Sequence, residues 1–128
     1  MKPLLLLLGV LSGTAQAADV DWATAAVVTV QLVDDQFKPD KLSFRNGVPY
    51  RLRLQNRGKE THEFTAPEFI KTLELGNPQV LESSGQEVLV APGQDKEFLF
   101  VPRKPGRYQL DCADHDWDGM VGEITVEP

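Results

Sequence analysis

In the nine residues from Cys112 to Met120, "CADHDWDGM", a thiol, an imidazole and a thioether alternate with three carboxylates, Asp114, Asp116 and Asp118. Hard oxygen donors suit calcium and magnesium, whereas sulfur and imidazole donors suit copper and zinc. The Asp-x-Asp-x-Asp-Gly spacing from Asp114 to Gly119 matches the opening of a calcium loop. With Asp114 at position one, however, Thr125 falls at position twelve, where such a loop requires a bidentate glutamate. Glu123 and Glu127 lie two residues to either side, and the flanks read as strands rather than helices. The calcium reading therefore fails. The three aspartates are then either solvated loop charge or a negative rim around His115 that docks a basic partner.

The soft donors are scarce, and their spacing is informative. Beyond Met1 the chain has one cysteine, Cys112, two histidines, His62 and His115, and one methionine, Met120. Three of them follow Cys-x2-His-x4-Met, and His62 lies upstream, after the segment "YRLRLQN" and a turn at Gly58. Each alone has an ordinary reading: a buried thiol, a loop histidine, a core methionine. Together, two imidazoles, a thiolate and a more distant thioether make the His2Cys-plus-axial-Met set of an electron-transfer copper site. Zinc could occupy two imidazoles and a thiolate, but copper binds such sites more tightly. A single cysteine excludes an internal disulfide and a two-cysteine copper centre. No Cys-x-x-Cys, His-Glu-x-x-His, Gly-x-Ser-x-Gly or phosphate-loop pattern occurs.

The elements that must position these residues read as strands. "YRLRLQN" alternates Tyr50, Leu52 and Leu54 with Arg51, Arg53 and Gln55, the period of a half-buried strand. "AVVTVQLV" is β-branched, and "KLSFRNG", "QEVLVAPG", "KEFLFVP", "RYQLDC" and "GEITVEP" are further short strand candidates. Asn46-Gly47, Pro92-Gly93 and Pro105-Gly106 mark turns between them. This pattern predicts an all-β antiparallel sandwich or Greek-key barrel of about seven to eight strands. Residues 67–87 fit it least well: "PEFIKTLELG" could hold a helical turn or an irregular strand. In "GRYQLDC", Tyr108, Leu110 and Cys112 share one face, so the thiol points inward. Gly119 and Gly122 are expected to give the following loop its backbone freedom.

The chain start predicts export. Lys2, the apolar run "PLLLLLGVLSG" and the small residues "AQA" ending at Ala17 have the layout of a cleaved secretory signal, residues 1–17, too short to span a bilayer. Residues 18–128 are expected to form one periplasmic domain with no membrane span, monomeric by default. Thirteen basic and nineteen acidic residues give a net charge of −6, which argues against nucleic acid as a partner and favours a basic protein.

The pattern "GRYQLDCADHDWDGMVGEITV", with "NRGKETHEF" upstream, resembles the cupredoxins, the small blue-copper proteins. The "HEFTAPEF" segment is similar to cupredoxin-like domains of periplasmic copper-handling and ferrous-iron-uptake proteins. The resemblance implies a Greek-key sandwich holding one type 1 copper ion, with His62, Cys112 and His115 as strong ligands and Met120 as the weak axial one. Gly106, Tyr108, Gly119, Gly122 and Ile124 match the family's final hairpin. Where many members have asparagine after the first histidine, this chain has Glu63. The function implied is electron transfer to a redox protein partner. The alternatives are an accessory of ferrous-iron uptake, with Asp114, Asp116, Glu60 and Glu63 attracting the hard cation, or copper storage and delivery.

Overall fold

The computed structural model describes residues 19–128; the expected signal segment, residues 1–17, lies outside the described residues. Ten strands are present: β1 (Ala26–Val33), β2 (Gln36–Lys38), β3 (Lys41–Arg45), β4 (Tyr50–Asn56), β5 (His62–Thr65), β6 (Leu73–Leu75), β7 (Glu87–Val90), β8 (Asp95–Pro102), β9 (Gly106–Asp111) and β10 (Val121–Glu127). They form two five-stranded sheets, ordered β2-β1-β4-β8-β6 and β3-β10-β9-β5-β7. Neighbours distant in sequence in both sheets produce the expected Greek-key-like sandwich.

All seven strand candidates from the sequence are present. The three additional strands, β2, β5 and β6, are three or four residues long, too short to display a period of two. Pairing is antiparallel except for β1 with β4 and β3 with β10, which run parallel. Side-chain alternation reports which face is buried and not which strand lies alongside, so these parallel pairs leave no local trace. "PEFIKTLELG" contains both of its possible structures: a four-residue helix, α1 (Pro67–Ile70), with proline in its first turn, and then β6. Among the described residues no helix is long and apolar enough to cross a membrane.

The core forms where the inward faces meet. On β4, Tyr50, Leu52, Leu54 and Asn56 are buried while Arg53 is exposed, and on β8 the inward pair is Phe98 and Phe100. Phe44, Phe69 and Phe100 interlock, with Phe100 edge-on to Phe44 at 5.2 Å and to Phe69 at 5.5 Å. Trp22 packs near the start of the domain, where a Cβ on Gly76 would come within 2.5 Å of its ring. β9 follows its expected alternation, with Arg107 and Gln109 exposed and Leu110 and Cys112 fully buried. β5 pairs with β9 through Thr65 and Asp111, which brings the start of β5 alongside the chain leaving β9.

Candidate metal centre

His62 is the first residue of β5 and is 1 % exposed; Cys112 directly follows β9 and is fully buried. The loop after Cys112 is closed by its own backbone. His115 N–H donates to the Cys112 carbonyl at 3.0 Å, Met120 N–H to the His115 carbonyl at 3.2 Å, and Cys112 N–H to the Met120 carbonyl at 3.1 Å. A single 3₁₀ turn, Asp116–Asp118, ends at Gly119 with φ 85°, a left-handed conformation that glycine adopts without steric cost. Met120 is fully buried immediately after it.

These elements bring donor atoms together. Cys112 Sγ lies 3.4 Å from Nδ1 of His115 and 3.9 Å from Nδ1 of His62. The two imidazole rings are 4.8 Å apart at 62°. His62, Cys112 and His115 each offer a ligand atom, all within 4.8 Å of one another. Both rings therefore present Nδ1 to a common buried sulfur, with Met120 locked to the same loop. Two nitrogens, one sulfur and a nearby thioether fit a copper ion, and the arrangement is that of a type 1 copper-like site.

Around the sulfur stands Glu63, the residue that follows His62. Glu63 N–H donates to Cys112 Sγ at 3.3 Å, and Glu63 Oε2 lies 3.2 Å from that sulfur, in position to accept from the thiol. The same oxygen accepts from Asp114 N–H at 3.3 Å, so this buried side chain ties the His62 strand to the Cys112 loop. Burial pushes the Cys112 thiol up to about 12, with the Glu63 carboxylate adding to the rise. Burial, then the neighbouring His115, lowers His62. Burial, then the neighbouring Asp114 side chain, raises Glu63, against the lowering by the Asp114 backbone N–H.

The aspartates of the loop take no part in the cluster. Asp114, Asp116 and Asp118 are exposed, and among the described residues the groups of converging donors are His62–Cys112–His115 and Asp35–Glu60–His115. The carboxylate at the outer edge of His115 is Glu60, with Oε2 2.7 Å from Nε2. A groove of about 260 Å³ lined by Asp34, Asp35, Lys59, Glu60 and His62 adjoins it. Trp117 is 80 % exposed, with its indole N–H on the Asp114 carbonyl, so it faces solvent and does not cover the site.

Sequence reasoning missed Asn56 and Asp35. Asn56 is fully buried; its amide donates to the carbonyls of Glu60 and Val90, both at 2.8 Å, and its Oδ1 accepts from Gly58 N–H. Parity could have found it, because Asn56 continues the inward series of Tyr50, Leu52 and Leu54 as a polar residue on the buried face. Asp35 gave no such signal, since it reaches the site only through folding.

Residues 4–126 match the family model of the cupredoxin-like domain. The chain belongs to that family. Among solved structures it is similar to auracyanin B, at 19 % identity over 81 % of this chain and 90 % of that one, TM-score 0.63. A reduced auracyanin from the photosynthetic bacterium Roseiflexus castenholzii gives 15 % identity over 81 % and 98 %, TM-score 0.61. The multicopper oxidase McoA of the hyperthermophile Aquifex aeolicus gives 14 % over 89 % of this chain but 32 % of that one, TM-score 0.65. At such identities these likenesses establish the fold. No curated protein matches the sequence at a significant level.

Proposed function

We propose that this protein is an exported blue-copper electron carrier, with residues 1–17 a cleaved signal and residues 18–128 a single periplasmic copper-binding domain. The convergence of Cys112 Sγ with Nδ1 of both His62 and His115 carries this reading. His62, Cys112 and His115 would hold the ion, with Met120 as the weak fourth donor. Bound copper would supply a one-electron couple between Cu(I) and Cu(II). The chain's own contribution is rigidity. Three backbone hydrogen bonds close the Cys112–Met120 loop, Asn56 braces the turn before His62, and Glu63 joins the two segments. A site held in this way changes little between oxidation states. His115, at the surface end of the cluster, is the exit for the electron, toward a redox protein with a basic docking face that meets Trp117 and the exposed aspartates.

Substitution at the sulfur donors tests the assignment. Cys112→Ser is expected to abolish the intense visible absorption of the copper-loaded protein. Met120→Leu is expected to keep that absorption and raise the reduction potential. A Cys112→Ser protein that remained blue would remove the basis of the assignment.

One observation favours a second reading, service in ferrous-iron uptake: Asp35 and Glu60 offer carboxylate oxygens within 4.8 Å of a His115 ring nitrogen. Steady oxidation of ferrous iron by catalytic amounts of protein, with dioxygen as terminal oxidant and loss on Asp35→Asn, would support it. An unchanged rate in that variant would leave the carrier reading alone.

A further inference from the structure

The two imidazoles of the cluster are held by different means. The outer nitrogen of His62 is shut in by the chain: a Cβ added to Gly58 would lie 3.3 Å from Nε2, and the residue is 1 % exposed. Close packing against Gly58, with the His115 ring 4.8 Å away on the other side of the cluster, confines that ring. His115 is less enclosed: its side chain is 14 % exposed, on a loop whose flanking residues, Asp114 and Asp116, are exposed. Its backbone is fixed by the loop hydrogen bonds, but these do not fix the ring or its proton.

We infer that Glu60 is a positioning residue for His115: its carboxylate accepts the Nε2–H and so leaves the Nδ1 lone pair facing Cys112 Sγ. A neutral imidazole carries one N–H, and a carboxylate oxygen 2.7 Å from Nε2 favours the hydrogen there. Nδ1, 3.4 Å from the sulfur, is then the free donor. Glu60 is itself held from below. The buried Asn56 amide donates to the Glu60 carbonyl at 2.8 Å and to Val90, while Asn56 Oδ1 fixes Gly58 N–H at 2.9 Å. The carboxylate therefore starts from a braced backbone even though its side chain is 67 % exposed. Burial orients the inner histidine, and a hydrogen-bonded acid braced by Asn56 orients the outer one.

The inference draws on the reading of His62, Cys112 and His115 as one ligand set, but its main test needs no metal. Asp35 also offers an oxygen to this cluster and could substitute for Glu60, so the variants are made in an Asp35→Ala background. Nitrogen-15 NMR of the metal-free, ¹⁵N-labelled protein, with His115 in its neutral state, reads which nitrogen carries the proton. Wild type and Asp35→Ala are expected to show a single Nε2–H tautomer at His115. Asp35→Ala/Glu60→Ala is expected to lose it to a mixture, and Asp35→Ala/Glu60→Gln to retain it, since the amide oxygen can still accept. The His62 tautomer should be the same in every variant. Titration with Cu(II) then gives a second readout: about ten- to hundredfold weaker binding in the Ala double variant, recovered largely by Gln. A single Nε2–H tautomer in the Ala double variant would overturn the role of Glu60, as would a mixture in the wild type. Either result would leave the copper assignment standing, because that is judged separately by the colour of the loaded protein.

Discussion

Cys112 and Glu63 define the chemistry at the residue scale. A thiol pushed up to about 12 by burial stays protonated at neutral pH, so a metal must displace its proton on binding. Glu63, in contact with that sulfur and with Asp114 N–H, keeps the two ligand segments in register. Glu63→Ala is expected to cost about 1–3 kcal/mol in urea unfolding of the metal-free protein, and Glu63→Gln, which keeps an acceptor, to recover most of that loss. His62 gives a pH dependence of known sign. Its folded pKa is lowered, chiefly by burial, so as pH falls through about 6.5 the unfolded chain takes up a proton that the folded one resists. The urea midpoint of the metal-free protein should therefore fall over that window, and a His62→Phe variant should show a smaller fall. The four soft donors were legible in the sequence because the chain has almost no others. Glu60 and Glu63 were visible only as nearby acids. Their partners, His115 Nε2 and Cys112 Sγ, are set by side-chain direction, which spacing does not encode.

The ligand loop depends, at the scale of elements, on glycines with different duties. Gly119 takes φ 85° to turn the chain into Met120, as its place in the sequence suggested. Gly122 does something else: a Cβ there would lie 2.5 Å from the Asp40 carbonyl oxygen and 3.1 Å from Leu110. It permits close approach of β10 to the segment entering β3, where Glu123 N–H donates to that same carbonyl at 2.8 Å. Gly122→Ala should then cost about 1–3 kcal/mol through overpacking, read as a lower urea midpoint. An unchanged midpoint would mean that this contact is loose. The longer strands were readable because one face is buried and the other is wet, as on β4. The short β5, which carries His62, was not readable as a strand. Two of its four residues, His62 and Glu63, are buried polar groups, so the hydrophobic period is absent where the site is built.

For the molecule as a whole, charge and exposure bear on partners. The net charge of −6 is joined, at the ligand loop, by an exposed Trp117 among Asp114, Asp116 and Asp118. Association with a basic redox protein should slow as ionic strength rises, with the steepest change within the range where the Debye length shrinks from about 30 to 10 Å. Neutralising Asp116 and Asp118 should flatten that dependence in stopped-flow electron transfer. The sandwich matters to function because it joins two segments that are fifty residues apart, ending in His62 and Cys112, around one buried sulfur. The most direct measurement of this account is the visible spectrum of the protein loaded with one equivalent of Cu(II), recorded beside a metal count. It predicts one copper per chain and an intense blue band that bleaches on reduction. A loaded protein that is colourless, or has only a faint copper band, would mean that Cys112 is not bonded to Cu(II) and would contradict it.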